Sequence, residues 1–259
     1  MPSMEIDTTL GRADLHIHSG AGDGVASVAE ILDYVEHETD LDLIAITDHD
    51  LIHGSLDARD LVAKGNYRFE FIVGMEITTL EGHLLAYDLE KPIRMLLPLA
   101  RTIQQVRQQG GFCVVPHPTS WLTRSVGYRG LRRVMEDERS DVTLEGLEIV
   151  NPTLAGRVIY EKVLSLNREQ WHLAELGGSD AHSLEFIGSG HTLFPGESAA
   201  DFRRALKEKT TQAGGRFLDL QDHRRLMSIA GEQMLKSLVV MPSQHLKRAI
   251  DSLIKGEQR

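Results

Sequence analysis

Short apolar runs alternate along this chain with stretches in which apolar residues recur every three or four positions. Compact runs rich in β-branched residues predict strands, and the three-to-four spacing predicts amphipathic helices. Strands are expected over 12–18, 41–47, 69–78, 83–87, 112–115, 144–150, 172–177 and 190–194. Helices are expected over 27–38, 55–64, 96–109, 156–171 and 199–210, with a short one after Gly130. In the first helix Val28, Ile31, Leu32 and Val35 share one face. Ser27 is its expected N-cap and Glu30 the capping-box partner. Gly110 and Gly111 give the third helix a C-terminal stop. Thr79-Leu80-Glu81-Gly82 predicts a β-hairpin or a strand broken by a loop.

Persistent alternation of strands and helices implies βαβ units and a largely parallel sheet. Six or seven such units in roughly 210 residues fit a closed or nearly closed β/α barrel, with a doubly wound open sheet as the alternative. From Gly214 the pattern changes. Segments 226–240 and 243–255 both read as helices, with Pro242 between them and Ser243 as a cap. Leu246, Ala249, Ile250 and Leu253 form one apolar face. The expected organisation is therefore a catalytic barrel over 11–212 and a helical appendage over 213–259. That appendage would pack on the barrel or on a partner subunit, which is a route to oligomerisation. Residues 201–259 carry 12 Lys/Arg against 7 Asp/Glu, so a basic arm touching a polyanionic substrate is the other reading.

Charge and cysteine content narrow the classes. The 259 residues carry a formal net charge of −10, which argues against a protein that coats long nucleic acid. A small phosphorylated substrate is not excluded, because bound cations invert the local field. Cys113 is the single cysteine, within Phe112-Cys113-Val114-Val115. It rules out a disulfide framework within the chain and a thiolate metal site, and reads as a buried, inert residue. The first residues lack a signal-peptide pattern and no run has the length of a membrane span, so the expected location is the cytoplasm, with no membrane partner.

The chemistry collects at the strand ends. Asp14-Leu15-His16-Ile17-His18-Ser19 places two imidazoles at i and i+2 of a strand, on one face, with Asp14 behind them on that face. The second strand ends in Asp48-His49. The third supplies Glu76 and, past its hairpin, His83. Later ones supply His117, Glu148, and then Asp180 with His182, while Asp23 lies in the first loop. In a parallel β/α architecture these ends share one rim. Six histidines and the carboxylates Asp23, Glu76 and Asp180 exceed the needs of one ion and suit two or three divalent cations. Ligation by nitrogen and oxygen alone favours Zn, Mn or Fe.

Taken in order, these segments resemble the motifs of the PHP (polymerase and histidinol phosphatase) family, over roughly residues 11–210. They are Asp14-Leu15-His16-Ile17-His18-Ser19, Thr47-Asp48-His49, Gly74-Met75-Glu76, His83-Leu84-Leu85-Ala86-Tyr87, Pro116-His117-Pro118 and Gly178-Ser179-Asp180-Ala181-His182. The resemblance implies a distorted (β/α)7 barrel with a trinuclear centre at the strand C-termini. One ion would be held by His16, His18, Glu76 and Asp180. A second would be held by Glu76 as bridge, His83 and His117. The third would be held by Asp23, His49 and His182.

It also implies a metal-dependent phosphoesterase, in which a water bridging two ions loses a proton near neutral pH and attacks phosphorus. Asp14 and Asp48 are expected to orient neighbouring histidine rings. Glu148 is a substrate or ring-orienting contact. Arg124 is a candidate phosphate clamp. The proton donor to the leaving oxygen is sought among His53 and His191. Expected substrates are a small phosphorylated metabolite, a nucleotide or a short oligonucleotide, with monoester and diester both open. The alternatives are a metal-dependent amidohydrolase acting on a C–N bond and a metal-binding domain without catalysis.

Overall fold

The protein is described by a computed structural model that covers residues 10–222 and 224–225. The two expected C-terminal helices lie outside the described residues. The chain begins with strand β1 (Leu10–Ile17), helix α1 (Val28–Glu38), β2 (Leu43–Ile46) and α2 (His53–Lys64). Then come β3 (Glu70–Phe71), β4 (Gly74–Thr78), β5 (His83–Tyr87), α3 (Leu99–Gln108), β6 (Phe112–Val115) and α4 (Tyr128–Met135). The remainder is β7 (Gly146–Val150), α5 (Leu154–Leu166), β8 (Ala174–Gly177), β9 (Gly190–Pro195), α6 (Ala199–Glu208) and β10 (Gln212–Gly215).

Local signals set several boundaries. The Ser27 hydroxyl accepts the Glu30 N–H, and the Glu30 carboxylate accepts the Ser27 N–H at 2.8 Å, so the capping box at α1 forms as read. Gly110, at φ +82°, takes the left-handed conformation just past α3. Helix α3 starts at Leu99 rather than 96, because Pro98 holds extended backbone at its N-cap. The strand expected over 69–78 splits into β3 and β4, which join different sheets.

The sheets are mixed, not largely parallel. One runs β10-β9-β1-β2-β3 and the other β4-β5-β6-β7-β8. β1 pairs in parallel with β2, and β6 with β7 and β7 with β8, whereas β9 is antiparallel to β1 and β5 is antiparallel to both neighbours. Residues 79–82 form a true hairpin turn, with Thr78 opposite His83. β10 pairs with β9, so the sheet continues three residues past the boundary read at 212.

The two sheets do not make one closed hydrogen-bonded barrel. They meet at two seams, by bridges between Ile17 and Ala181 and between His49 and Glu76. Leu43 and Ala45 pack into the space between the sheets with Ala13, Leu15, Leu85, Val114 and Leu176. Ile44 and Ile46, alternating with them, pack beneath α1 beside Ile31 and Leu32. Burial on both faces explains why the second strand reads as an unbroken apolar run. Among the described residues no helix is long and apolar enough to cross a membrane.

Candidate metal centre

Both seams lie where β1, β2, β4 and β8 reach one rim, and there the nine predicted ligand candidates converge. His16, His18, Asp23 and His49 come from the β1–β2 sheet and its loops. Glu76, His83, His117, Asp180 and His182 come from the other sheet and its loops. His83 does not sit at a C-terminal strand end. It opens β5, and reaches the rim because the hairpin turns β5 back against β4.

Glu76 is the hub. It is fully buried, and five imidazoles surround its carboxylate. Oε2 lies 3.3 Å from His16 Nε2, 3.3 Å from His18 Nε2 and 3.2 Å from His49 Nδ1. Oε1 lies 2.8 Å from His83 Nδ1 and 3.4 Å from His117 Nε2. Asp180 Oδ1 stands 3.4 Å from His16 and 3.2 Å from His18. Asp23 Oδ2 stands 3.4 Å from His182 and 4.0 Å from His49. The His182 ring stacks on His18 with centroids 4.1 Å apart.

The far nitrogen of three rings is anchored outward. His16 Nδ1 donates to Glu148 Oε1 at 2.8 Å. His117 Nδ1 donates to the Ser125 hydroxyl at 2.8 Å, which in turn donates to the His117 carbonyl at 2.7 Å. His182 Nδ1 donates to the Asp180 carbonyl at 2.9 Å. Each such bond fixes the ring and leaves Nε2 facing the carboxylates, as ligand histidines require. Glu148 is thus a ring-orienting contact. Its second oxygen accepts the His117 N–H at 2.8 Å and the Asn151 amide at 3.0 Å. A Cβ on Gly178 would come 2.3 Å from Glu148 Oε1 and 2.8 Å from the His16 Cβ, so only glycine fits beneath that pair. His117 and Asp180 adopt left-handed backbone, at φ 31° and φ 54°. Such strain is held by surrounding structure and recurs at functional sites.

Asp14 and Asp48 do not orient rings. Asp14 accepts backbone N–H groups of His16, Ser179 and Gly188, at 3.3, 3.1 and 2.8 Å. The pairing of β1 shifts register between Asp14 and Ile17, so the alternation that would align Asp14 with His16 is broken. Asp48 accepts both the N–H and the hydroxyl of Ser19 at 2.6 Å, tying the two loops together. Burial pushes each of these carboxyls up to about 6. The Arg124 guanidinium donates to the Thr79 carbonyl at 3.1 Å, bracing the hairpin. His191 Nδ1 donates to the Gly188 carbonyl and its Nε2 accepts from Arg12 at 3.2 Å, contacts that take the ring away from the cluster. His53 opens α2 at an exposed position. Ser125 and Thr123, which flank the His117 ring, carried no signal in the sequence, since they act across an irregular loop.

Charge balance defines what the cluster demands. Burial opposes a proton on His16, yet Asp180, Glu148 and Glu76 together raise it well above the usual imidazole range. His18 is likewise raised against burial, to about 10, by Asp180, Glu76 and Asp23. Burial lowers His49 to about 4. Burial opposes ionisation of Glu76 and Asp180, but the surrounding histidines hold both well below the usual carboxylate range. Three crowded carboxylates, Asp23 and Glu76 buried and Asp180 only 14% exposed, therefore call for compensating positive charge, from protons or from cations.

The donors fit divalent cations. Both nitrogens of His18, Oε1 of Glu76 and Nδ1 of His83 are buried without a hydrogen-bond partner. His83 Nδ1 and Glu76 Oε1 are only 2.8 Å apart, so close polar atoms face one another without bonding geometry. Ligands about 2.1 Å from a shared ion stand about 3.0–3.4 Å from each other, a spacing that most of these donor pairs match, with His83–Glu76 closer at 2.8 Å and His49–Asp23 wider at 4.0 Å. Four groups of donors converge closely enough: His16, His18 and Glu76; His16, His117 and Asp180; His49, Glu76 and His83; and His18, Asp23, His49 and His182.

Several known proteins are similar to this chain. The profile of the PHP-associated family matches residues 167–211. An uncharacterized protein of Methanocaldococcus jannaschii is 32% identical over 151 residues, covering 54% of this chain and 81% of that protein. A 5′-3′ exoribonuclease of Haemophilus influenzae is 32% identical over 100 residues, which span 37% of this chain and 35% of the exoribonuclease. Among solved structures, a two-domain protein from Bacteroides vulgatus containing a predicted PHP-like metal-dependent phosphoesterase superposes with a TM-score of 0.62. It is 21% identical, and the alignment covers 81% of this chain and 66% of that one.

Proposed function

The chain belongs to the PHP family, and from that premise we propose that it is a metal-dependent hydrolase of phosphate esters. One observation carries the reading: Glu76, buried at a seam between two sheets, with five imidazoles directed at its two oxygens. Two or three divalent ions, of zinc, manganese or iron, are the complement that such a donor set calls for. His16, His18, Glu76 and Asp180 would hold one, Glu76, His83 and His117 a second, and Asp23, His49 and His182 a third. Bound there, such ions supply Lewis acidity toward phosphate oxygens and lower the pKa of water.

The protein's own residues do the rest. Glu148, Ser125 and the Asp180 carbonyl hold three rings in the ligating tautomer. Asp14 and Asp48 fix the loops that carry His16, His18 and Asp180. In the net reaction a bond forms from water oxygen to phosphorus, the ester P–O bond breaks, and the leaving oxygen takes up a proton. We read the two sheets and their seams as one distorted ring of seven strands, β1, β2 and β4 to β8. A cytoplasmic setting accords with a single, buried, unpaired cysteine.

The test is hydrolysis of p-nitrophenyl phosphate and of its bis ester by protein loaded with Mn or Zn, beside elemental analysis. More than one equivalent of metal and chelator-sensitive turnover are expected. His117→Ala and Asp180→Ala are each expected to lower turnover by about a hundred- to a thousandfold, on the order of one lost catalytic group, while circular dichroism stays unchanged. Metal-free active protein would overturn the reading, and activity on C–N substrates alone would move the chemistry to amide hydrolysis.

A further inference from the structure

Asn151, directly after β7, is 1% exposed and stands between two carboxylates that come from different strand ends. Its Nδ2 donates to Glu148 Oε2 at 3.0 Å and to Asp180 Oδ2 at 3.4 Å. The amide has a single satisfied orientation. Oδ1 accepts the Thr153 N–H at 3.2 Å and the Thr153 hydroxyl at 2.5 Å, and a backbone N–H can only donate. On the other side, ionised carboxylates can only accept. Turning the amide over would lose bonds at both ends. The backbone around it is fixed as well. A Cβ on Gly156 would come 2.1 Å from the Asn151 carbonyl oxygen, so the first turn of α5 lies directly against it. The next carbonyl, that of Pro152, accepts the Leu218 N–H at 2.9 Å.

Both carboxylates divide their oxygens between two tasks, and Asn151 takes the same share of each. Glu148 gives Oε1 to the His16 ring, and Oε2 to the His117 N–H and Asn151. Asp180 turns Oδ1 toward His16 and His18, at 3.4 and 3.2 Å, and Oδ2 toward Asn151. Asp180 has more need of a hold than Glu76, since its side chain is 14% exposed against 1%. A carboxylate free to rotate would present either oxygen, or both, to the histidines. A donor at Oδ2 leaves Oδ1 alone on that side. Hydrogen bonds of this kind set the orientation of ligating carboxylates, and their loss weakens metal binding.

We propose that Asn151 is a positioning residue of the metal centre, whose one amide makes Asp180 offer a single oxygen and holds Glu148 against the His16 ring. His16 and Asp180 are thereby kept in step, although 164 positions separate them. The proposal deepens the phosphoesterase reading and rests on it for the ions that Asp180 would hold. The competing role is purely structural, the opening of α5 through Thr153.

The experiment separates the two sides of the amide in full-length protein. Asn151→Leu removes the donor at similar volume. Thr153→Ala removes the hydroxyl that accepts the Gly156 N–H at the start of α5, but keeps the backbone N–H that fixes the amide. Zinc and manganese are titrated in competition with a fluorescent chelator, and the visible spectrum of cobalt-loaded protein reports the coordination at the site. In Asn151→Leu the affinity for one equivalent is expected to fall about 10- to 100-fold, with the remaining equivalents unchanged and the cobalt spectrum altered. In Thr153→Ala the melting temperature of metal-free protein is expected to fall, as for a lost helix cap, while metal affinity and spectrum stay as in the wild type. Should Asn151→Leu not fold, Asn151→Ala takes its place with the same expectations. Unaltered affinity and spectrum without the amide overturn the proposal. So does a loss shared equally by every equivalent, or one that Thr153→Ala reproduces, since either assigns Asn151 to the fold alone. Wild-type protein that binds no metal sinks the phosphoesterase reading itself. Metal binding that depends on Asn151 without ester hydrolysis sinks the proposed reaction and leaves the positioning role standing.

Discussion

Where β1, β2 and β7 begin and β5 ends, several charged side chains meet their opposites. Arg12 pairs with Asp40, Arg107 with Glu145, and Arg203 with Asp88 at 2.8 Å. These groups are partly exposed, and their charges are balanced side chain against side chain, although Arg12 Nε and Arg107 Nε are left without a hydrogen-bond partner. At the other end of the same sheets six imidazoles crowd three carboxylates, and several of the buried atoms make no hydrogen bond. Both ends are built from acids and bases. At one end the charges are balanced by protein side chains, whereas at the other they balance only with additional positive charge. Arginine could have supplied that charge, but its fixed guanidinium would fill the space. Histidine leaves a lone pair and a gap, which is what a cation needs.

The contrast is broken most severely at its hub. Glu76→Gln is expected to cost at least one equivalent of bound metal and about a thousandfold in phosphate-ester turnover, the upper end for losing a whole catalytic group. Elemental analysis and steady-state rates read both, and a variant with full metal content would end the hub role. A smaller effect follows from the ring anchors. Glu148→Gln keeps an oxygen for the His16 ring but loses the negative charge, and metal affinity should fall about 10- to 100-fold. Competition with a fluorescent chelator measures it.

Proton linkage sharpens the difference further. His16 and His18 are raised by neighbouring carboxylates, against burial, so in metal-free protein they carry protons near pH 7, and Glu76 raises His117 in the same direction. A cation must displace those protons. Metal binding should therefore release protons and tighten as pH rises from 6 to about 8, before metal hydroxide competes. Calorimetry in buffers of different ionisation heat gives the proton count, and uptake instead of release would contradict the charge balance. At the opposite end the expected effect is smallest. Arg203→Ala removes a partly exposed pair, costing no more than about 1 kcal/mol of stability and leaving metal content unchanged.

The candidates themselves were legible because topology does the gathering. Residues from 16 to 182 needed only the rule that strand ends share a rim. Local helix signals were equally plain, as at Ser27 and Glu30. The errors came from pairing, which sequence does not display. Asp14 lost its ring because β1 shifts register between Asp14 and Ile17, and His83 arrived by an antiparallel return. Strand 69–78 had to be cut, since Glu70 and Phe71 pair with β2 while Gly74–Thr78 pairs with β5. Glu148 was ambiguous for a related reason: its partner, His16, is 132 residues away.

The division of donors between sheets has a consequence for folding. His16, His18, Asp23 and His49 belong to one hydrogen-bonded unit, and the remaining five to the other. Each of the four convergent donor groups draws on both units, so none of the four can assemble until the units have docked, and the contacts they need span long stretches of chain, the kind that form late. A cation bound there acts as a rivet across the joint. Its binding free energy adds to the stability of the docked state as RT ln(1 + [M]/Kd). Resistance to heat then tracks the free metal concentration around the protein, and the melting temperature becomes a gauge of supply.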